Sequence, residues 1–223
     1  MLNQLYLAMP NPDDNWASDC RTDNFHARLW EALLFASLRE QGLSVTQDFP
    51  SPDFHVANRK GGEAWVEAVT ANPPVPYDHA NAVEVPPPQE RQERMLGPAA
   101  VRFAKTIKSK LDKGYARMPH VLGKPFVLAV ADFHAPGSMI WSRTALIGYL
   151  YGFFAREVEV DGKRVAVSEA ADNLLGGQEI PAGLFFAPEG EELSAVIFSQ
   201  GATLSKFCLL YTSDAADEGL GVD

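Results

Sequence analysis

Cysteine is nearly absent, with Cys20 and Cys208 the only two in 223 residues. Two are too few for a disulfide framework or a zinc cage, so a metal held by this chain would need oxygen ligands, and a reducing compartment fits. Long apolar runs are missing too. No stretch approaches the roughly 18 residues that span a bilayer. The opening "MLNQLYLAMPNPDDNW" lacks the charged start and apolar centre of a secretory signal. We therefore expect a cytoplasmic protein with no membrane partner. The histidines, His26, His55, His79, His120 and His134, show no HExxH spacing and no metal-ligand pair. No GxGxxG or GxxxxGK[ST] loop is present, which argues against a nucleotide cofactor, and Ser138 in "PGSM" lacks the GxSxG setting of a nucleophile elbow.

Positive charge is scarce, with 19 Lys and Arg against 29 Asp and Glu and a net charge of -10. The last residues, 208–223, "CLLYTSDAADEGLGVD", carry no hydrophobic period and read as a translated sequencing adapter rather than as native chain. Without Asp214, Asp217, Glu218 and Asp223 the acids fall from 29 to 25 and the net charge to -6. The remaining chain is still acidic. That balance argues against a sequence-independent DNA coat, which needs many phosphate-neutralising cations, and leaves room for an enzyme with one local basic face. A composition 46% hydrophobic and 22% charged fits one globular domain over residues 1–207.

The apolar pattern sets out the order of elements. "DNFHARLWEALLFASLREQG" carries Phe25, Leu29, Leu33, Ala36 and Leu38 at helical spacing, opened by Asp23 or Asn24 and closed by Gly42. "LSVTQDFP", "DFHVANRKG" and "EAWVEAVTA" read as three short strands. The proline-rich stretch 73–89 contains His79 and excludes a regular element, so a long loop is expected there. From Gly97 a basic helix follows, with Val101, Ala104, Ile107, Leu111, Tyr115 and Met118 as its apolar stripe. "KPFVLAVADF" reads as a central strand buried on both faces. A helix "SRTALIGYLYGFFARE", a hairpin "EVEVDGKRVAVS" turning at Asp161 and Gly162, and strands "GLFFAP" and "LSAVIFSQ" complete the reading. The expected class is α/β with a mixed sheet.

Two acids stand out in this order. Asp53 follows Pro52 at the start of one strand, and Glu67 sits in the next strand between Val66 and Val69, where a half-buried carboxylate is costly without a partner or a metal. The helix–strand–strand–strand–helix–strand order, with Pro52-Asp53 and Glu67, resembles the PD-(D/E)xK nuclease superfamily and its restriction-endonuclease-like fold. The resemblance covers residues 25–135, with 136–207 as an extension bearing a C-terminal β-hairpin. It implies that Asp53 and Glu67 bind Mg2+ or Mn2+ and that the chain hydrolyses phosphodiester bonds in DNA, within bacterial defence, repair or mobile-element biology. Hard divalent ions suit that task, because they take carboxylate oxygens and neutralise charge developing on a phosphodiester.

The family's lysine, two residues beyond the strand acid, is replaced here by Val69. In some members it has moved to the following helix, where Lys108, flanked by Ala104 and Leu111, is the first candidate and Lys105 the second. Glu31, in "LWEALL", matches a glutamate that many members carry on the first helix. Val69 also supports an alternative: a catalytically silent nuclease-like fold that acts as a binding or assembly module.

Overall fold

Phe126–Asp132 is buried at all seven positions and forms the central strand β4 of a five-stranded sheet. The computed structural model describes residues 2–73, 90, 93–135, 137–174 and 179–203. Most of the proline-rich stretch, His79 included, and the segment 208–223 lie outside them. The other strands of the sheet are β1 (Ser44–Thr46), β2 (Phe54–Ala57), β3 (Glu63–Ala71) and β7 (Ala195–Ser199), in the order β1-β2-β3-β4-β7. The pairs β1–β2 and β2–β3 are antiparallel, whereas β3–β4 and β4–β7 are parallel. The expected α/β class with a mixed sheet is therefore what the chain adopts.

Helices cover both faces of the sheet, and the pleat of β4 divides its side chains between two cores. Phe126, Leu128 and Val130 pack with Phe103, Ala104 and Ile107 of α4 (Ala100–Leu111) and with Leu146 and Tyr149 of α6 (Arg143–Tyr151). Val127, Ala129 and Ala131 pack on the opposite side, against Leu29, Trp30, Leu33 and Leu34 of α3 (Phe25–Glu40). Trp30 ties α3 to this strand directly, its indole N–H donating to the Ala129 carbonyl at 2.8 Å. Trp16, Trp30, Trp65 and Trp141 are all core residues, each 7% exposed or less.

Several expectations need correction. The residues before α3, to which the apolar pattern assigns no element, hold α1 (Leu2–Ala8) and the short α2 (Trp16–Asp19), whose Leu5 and Trp16 join the α3 core. The helix after β4 begins as a separate turn, α5 (Ser138–Trp141), and α6 ends at Tyr151. Gly152, at φ 69°, takes the left-handed conformation that stops it, so Phe153 and Phe154 open strand β5 (Phe153–Val160) rather than extend a helix. β5 pairs with β6 (Lys163–Ala170) through the expected turn at Asp161 and Gly162. "GLFFAP" is not a strand: Leu184–Phe186 and Pro188–Gly190 are single 3-10 turns, because left-handed Gly183 and then Pro188 interrupt any ladder. "LSAVIFSQ" does form a strand, and it returns to the main sheet as β7.

The passage from α6 to β5 leaves no spare room. A Cβ on Gly148 would lie 2.0 Å from the ring of Phe154, which is 6% exposed and cannot swing away. Gly148→Ala should therefore destabilise the fold by about 1–3 kcal/mol, the usual range for overpacking, despite alanine's better helix propensity. Urea unfolding of the variant would measure it.

Candidate active site

The site forms where β2 stops pairing with β3. The last register pair is Phe54 with Val66, so beyond it the N–H groups of β3 on that edge have no strand partner. Asp53 fills the gap: its Oδ2 accepts the Ala68 N–H at 2.7 Å, while its own backbone N–H donates to Glu67 Oε2 at 3.2 Å. The two carboxylates are thus held side by side by the backbone itself. Glu67 is 4% exposed and lies on the same pleat face as Trp65 and Val69. Its Oε1 accepts from Lys110 Nζ at 2.6 Å and from the Tyr115 hydroxyl at 3.0 Å.

Glu31 reaches the same pocket from α3. Its Oε2 accepts from Arg28 Nη1 at 3.0 Å and from the Trp16 indole N–H at 3.1 Å, and Arg28 also bonds Asp19 at 2.6 Å. Asp19, Asn24, Arg28, Glu31, Asp53, Glu67 and Lys110 line a cavity of about 260 Å³. Asp53, Glu67 and Glu31, distant in sequence, therefore share one pocket.

The lysine is where the structure differs from the reading of the sequence. Lys105 and Lys108 are exposed, and Lys108 pairs with Asp112 at 3.3 Å. Both line a different cavity, of about 450 Å³, with Leu111, Tyr149 and Leu184; that space is larger but contains neither Asp53 nor Glu67. The side chain that meets Glu67 is Lys110. Of the expected stripe, Ala104 and Ile107 are buried, Val101 and Leu111 are only half-buried, and Tyr115 and Met118 lie beyond the end of α4; Ala100 and Phe103 join its buried face, with Phe103 and Ile107 the largest side chains in it. Lys110 continues the Phe103–Ile107 row at helical spacing, and that row was the signal that would have selected it.

Burial, reinforced by neighbouring charge, shifts the titration of Asp53 and Glu31. Removal from water pushes the Asp53 carboxyl up to about 8, and the neighbouring charges of Glu67 and Glu31 add to the rise; the Ala68 N–H and Lys110 offset only part of it. Burial also raises Glu31, against the pull of Arg28. The Tyr115 hydroxyl is raised by burial and by Glu67, which keeps it a proton donor to that carboxylate.

Among the described residues no three His, Cys, Asp or Glu side chains converge as a metal-holding group, and Glu31 is already engaged by Arg28 and Trp16. The pair Asp53 and Glu67 nevertheless suits a hard divalent cation. Mg2+ commonly takes one or two protein carboxylates and completes its shell with water and substrate phosphate. A cation there would face an Asp53 carboxyl that burial first, and the charges of Glu67 and Glu31 second, hold toward its neutral form.

No family model, curated protein or solved structure matches this chain. Among the described residues no helix is long and apolar enough to cross a membrane.

Proposed function

We propose that the chain is a divalent-metal-dependent phosphodiesterase acting on DNA, a divergent relative of the PD-(D/E)xK nucleases with a restriction-endonuclease-like core. One observation carries the reading: Asp53 and Glu67, both lining one pocket, are clasped together through the Asp53 N–H, with a lysine ammonium against Glu67. Asp53 and Glu67 are the residues that would hold Mg2+ or Mn2+. When bound there, such an ion supplies neutralisation of phosphodiester charge and makes water a better nucleophile.

The protein's own groups do the rest. Tyr115 and the Asp53 N–H fix the Glu67 carboxylate, and Lys110 supplies the cation that the family takes from the position occupied here by Val69. Val69 instead packs against the α4 core. Lys110→Met should lower the rate of DNA cleavage by about a hundredfold or more, the usual scale for losing one charged donor at a reacting phosphate, whereas Lys108→Met and Lys105→Met should stay within about twofold of the parent. Equal losses from all three would remove Lys110 from the account.

A second reading has its own observation. Both Glu67 oxygens already have protein partners, as a purely structural buried ion pair would. In that case the fold is a silent binding or assembly module, and divalent cations neither bind nor stabilise it.

A further inference from the structure

Beside the carboxylate pocket lies a group of rings that the reaction does not use. Phe49 stacks on His120 with centroids 3.9 Å apart and planes 5° from parallel. Both rings pack on Trp65, Phe49 at 5.7 Å and His120 at 4.8 Å, each roughly edge-to-face. Trp65 is stacked on its other neighbour, His55, at 4.6 Å. Trp65 is 3% exposed and serves as the buried base of the group, whereas Phe49 is 43% exposed. Phe49 thus keeps much of its ring open on a surface loop although a parallel ring and Trp65 back it.

The group is tied to the site at two points, and a cation stands nearby. His120 Nε2 bonds the Ser51 carbonyl at 2.9 Å, which pins the loop two residues before Asp53. Trp65 lies two residues before Glu67 on the same strand face, roughly 7 Å along the strand. Lys113 lies 5.7 Å from the centroid of the Tyr115 ring, so its ammonium stands near the residue that bonds Glu67. A ring platform whose base, Trp65, lies two residues from Glu67, with a carboxylate pair and cations, is what a chain with unpaired bases needs; in a duplex the flat faces of the bases are covered by stacking.

We propose that Phe49, supported by His120, is a stacking platform for an unpaired nucleobase next to the scissile phosphate, which makes single-stranded DNA the substrate class of this site. The inference rests on the nuclease reading for its substrate. Stacking itself is independent of metal, and that separates the two tests.

Binding of a fluorescent dT12 strand and of a 12-base-pair duplex to the full chain, measured in chelator, tests it. The parent should prefer the single strand. Phe49→Ala should weaken dT12 binding by about five- to a hundredfold, the range of one lost base–aromatic stack, and leave duplex binding within about twofold. Phe49→Trp should restore dT12 binding, and Phe186→Ala, which removes a ring 74% exposed elsewhere, should change nothing. Dependence of the single-strand affinity on an aromatic at position 49 is something a merely structural role would not produce. Unchanged dT12 affinity in Phe49→Ala, or equal losses for strand and duplex, would overturn the platform even if metal-dependent cleavage is found. Intact stacking without any cleavage would instead count against the nuclease reading alone.

Discussion

Asp53→Asn should reduce metal-dependent DNA cleavage by about a thousandfold or more and abolish stabilisation by Mg2+, while leaving the metal-free protein folded. The direction follows from the two jobs of Asp53. Its Oδ2 caps the Ala68 N–H, and an asparagine oxygen can still accept that bond. What the amide cannot do is carry charge to a cation. Losing several kcal/mol of electrostatic stabilisation corresponds to the thousandfold effect, at about 1.36 kcal/mol per factor of ten. At pH 8 and above the metal-free variant should even exceed the parent in stability, because it removes a charge that is buried and also crowded by Glu67 and Glu31. Asp53→Ala would be a poorer test, since it also strips the cap from the β3 edge. Thermal unfolding with and without Mg2+, beside a cleavage time course, reads both effects.

The second large effect is a dependence of stability on pH that divalent cations should cancel. The Asp53 carboxyl titrates near 8 in the fold and near its ordinary 3.8 when unfolded. Between those values the unfolded chain gives up a proton that the native chain keeps, so each step up in pH favours unfolding. The contribution is therefore complete below about 4 and lost as pH rises through 8. Glu31, raised by burial, adds in the same direction. Asp132 acts oppositely: despite its burial, the hydrogen bonds from His134 and Ser142 hold it below the usual carboxylate range, so its contribution disappears only in acid. Denaturation midpoints in chelator should fall from pH 5 to pH 9, and Mg2+ should flatten the fall by favouring the ionised pair. Asp53→Asn should flatten it without metal. A midpoint that rises over this interval in chelator would contradict the assignment.

Much of the positioning of these acids was legible in the sequence, for identifiable reasons. β4 showed itself as an unbroken apolar run because helices cover both of its faces, and α3 showed itself by its leucine spacing. Glu67 stood out as a carboxylate in an otherwise apolar strand and Pro52-Asp53 through its resemblance to the nuclease motif, and the fold sets the two acids side by side. Lys110 was missed for a physical reason. A lysine on the buried row of a helix looks in sequence like any solvated charge, and only the rotation of α4 against β3 and β4, fixed by Phe103 and Ile107, decides which lysine faces inward. The aromatic group was also invisible: Phe49, Trp65 and His120 come from three separate segments, and His55 is joined to Trp65 by strand register alone. "GLFFAP" misled because its apolar residues fill the 3-10 turns beside α6, where Leu184 is buried and Phe186 exposed. Such a run has strand composition without a strand's alternation.

The most direct test of the central claim is incubation of circular single-stranded and supercoiled DNA with the parent protein in Mg2+ or Mn2+, with chelator and Asp53→Asn as the two controls. The account predicts scission that requires the metal, is lost in both controls, and is faster on the single strand. A folded parent protein that leaves both DNAs intact at every metal concentration would contradict it and leave Glu67, Lys110 and Tyr115 as a structural ion-pair cluster.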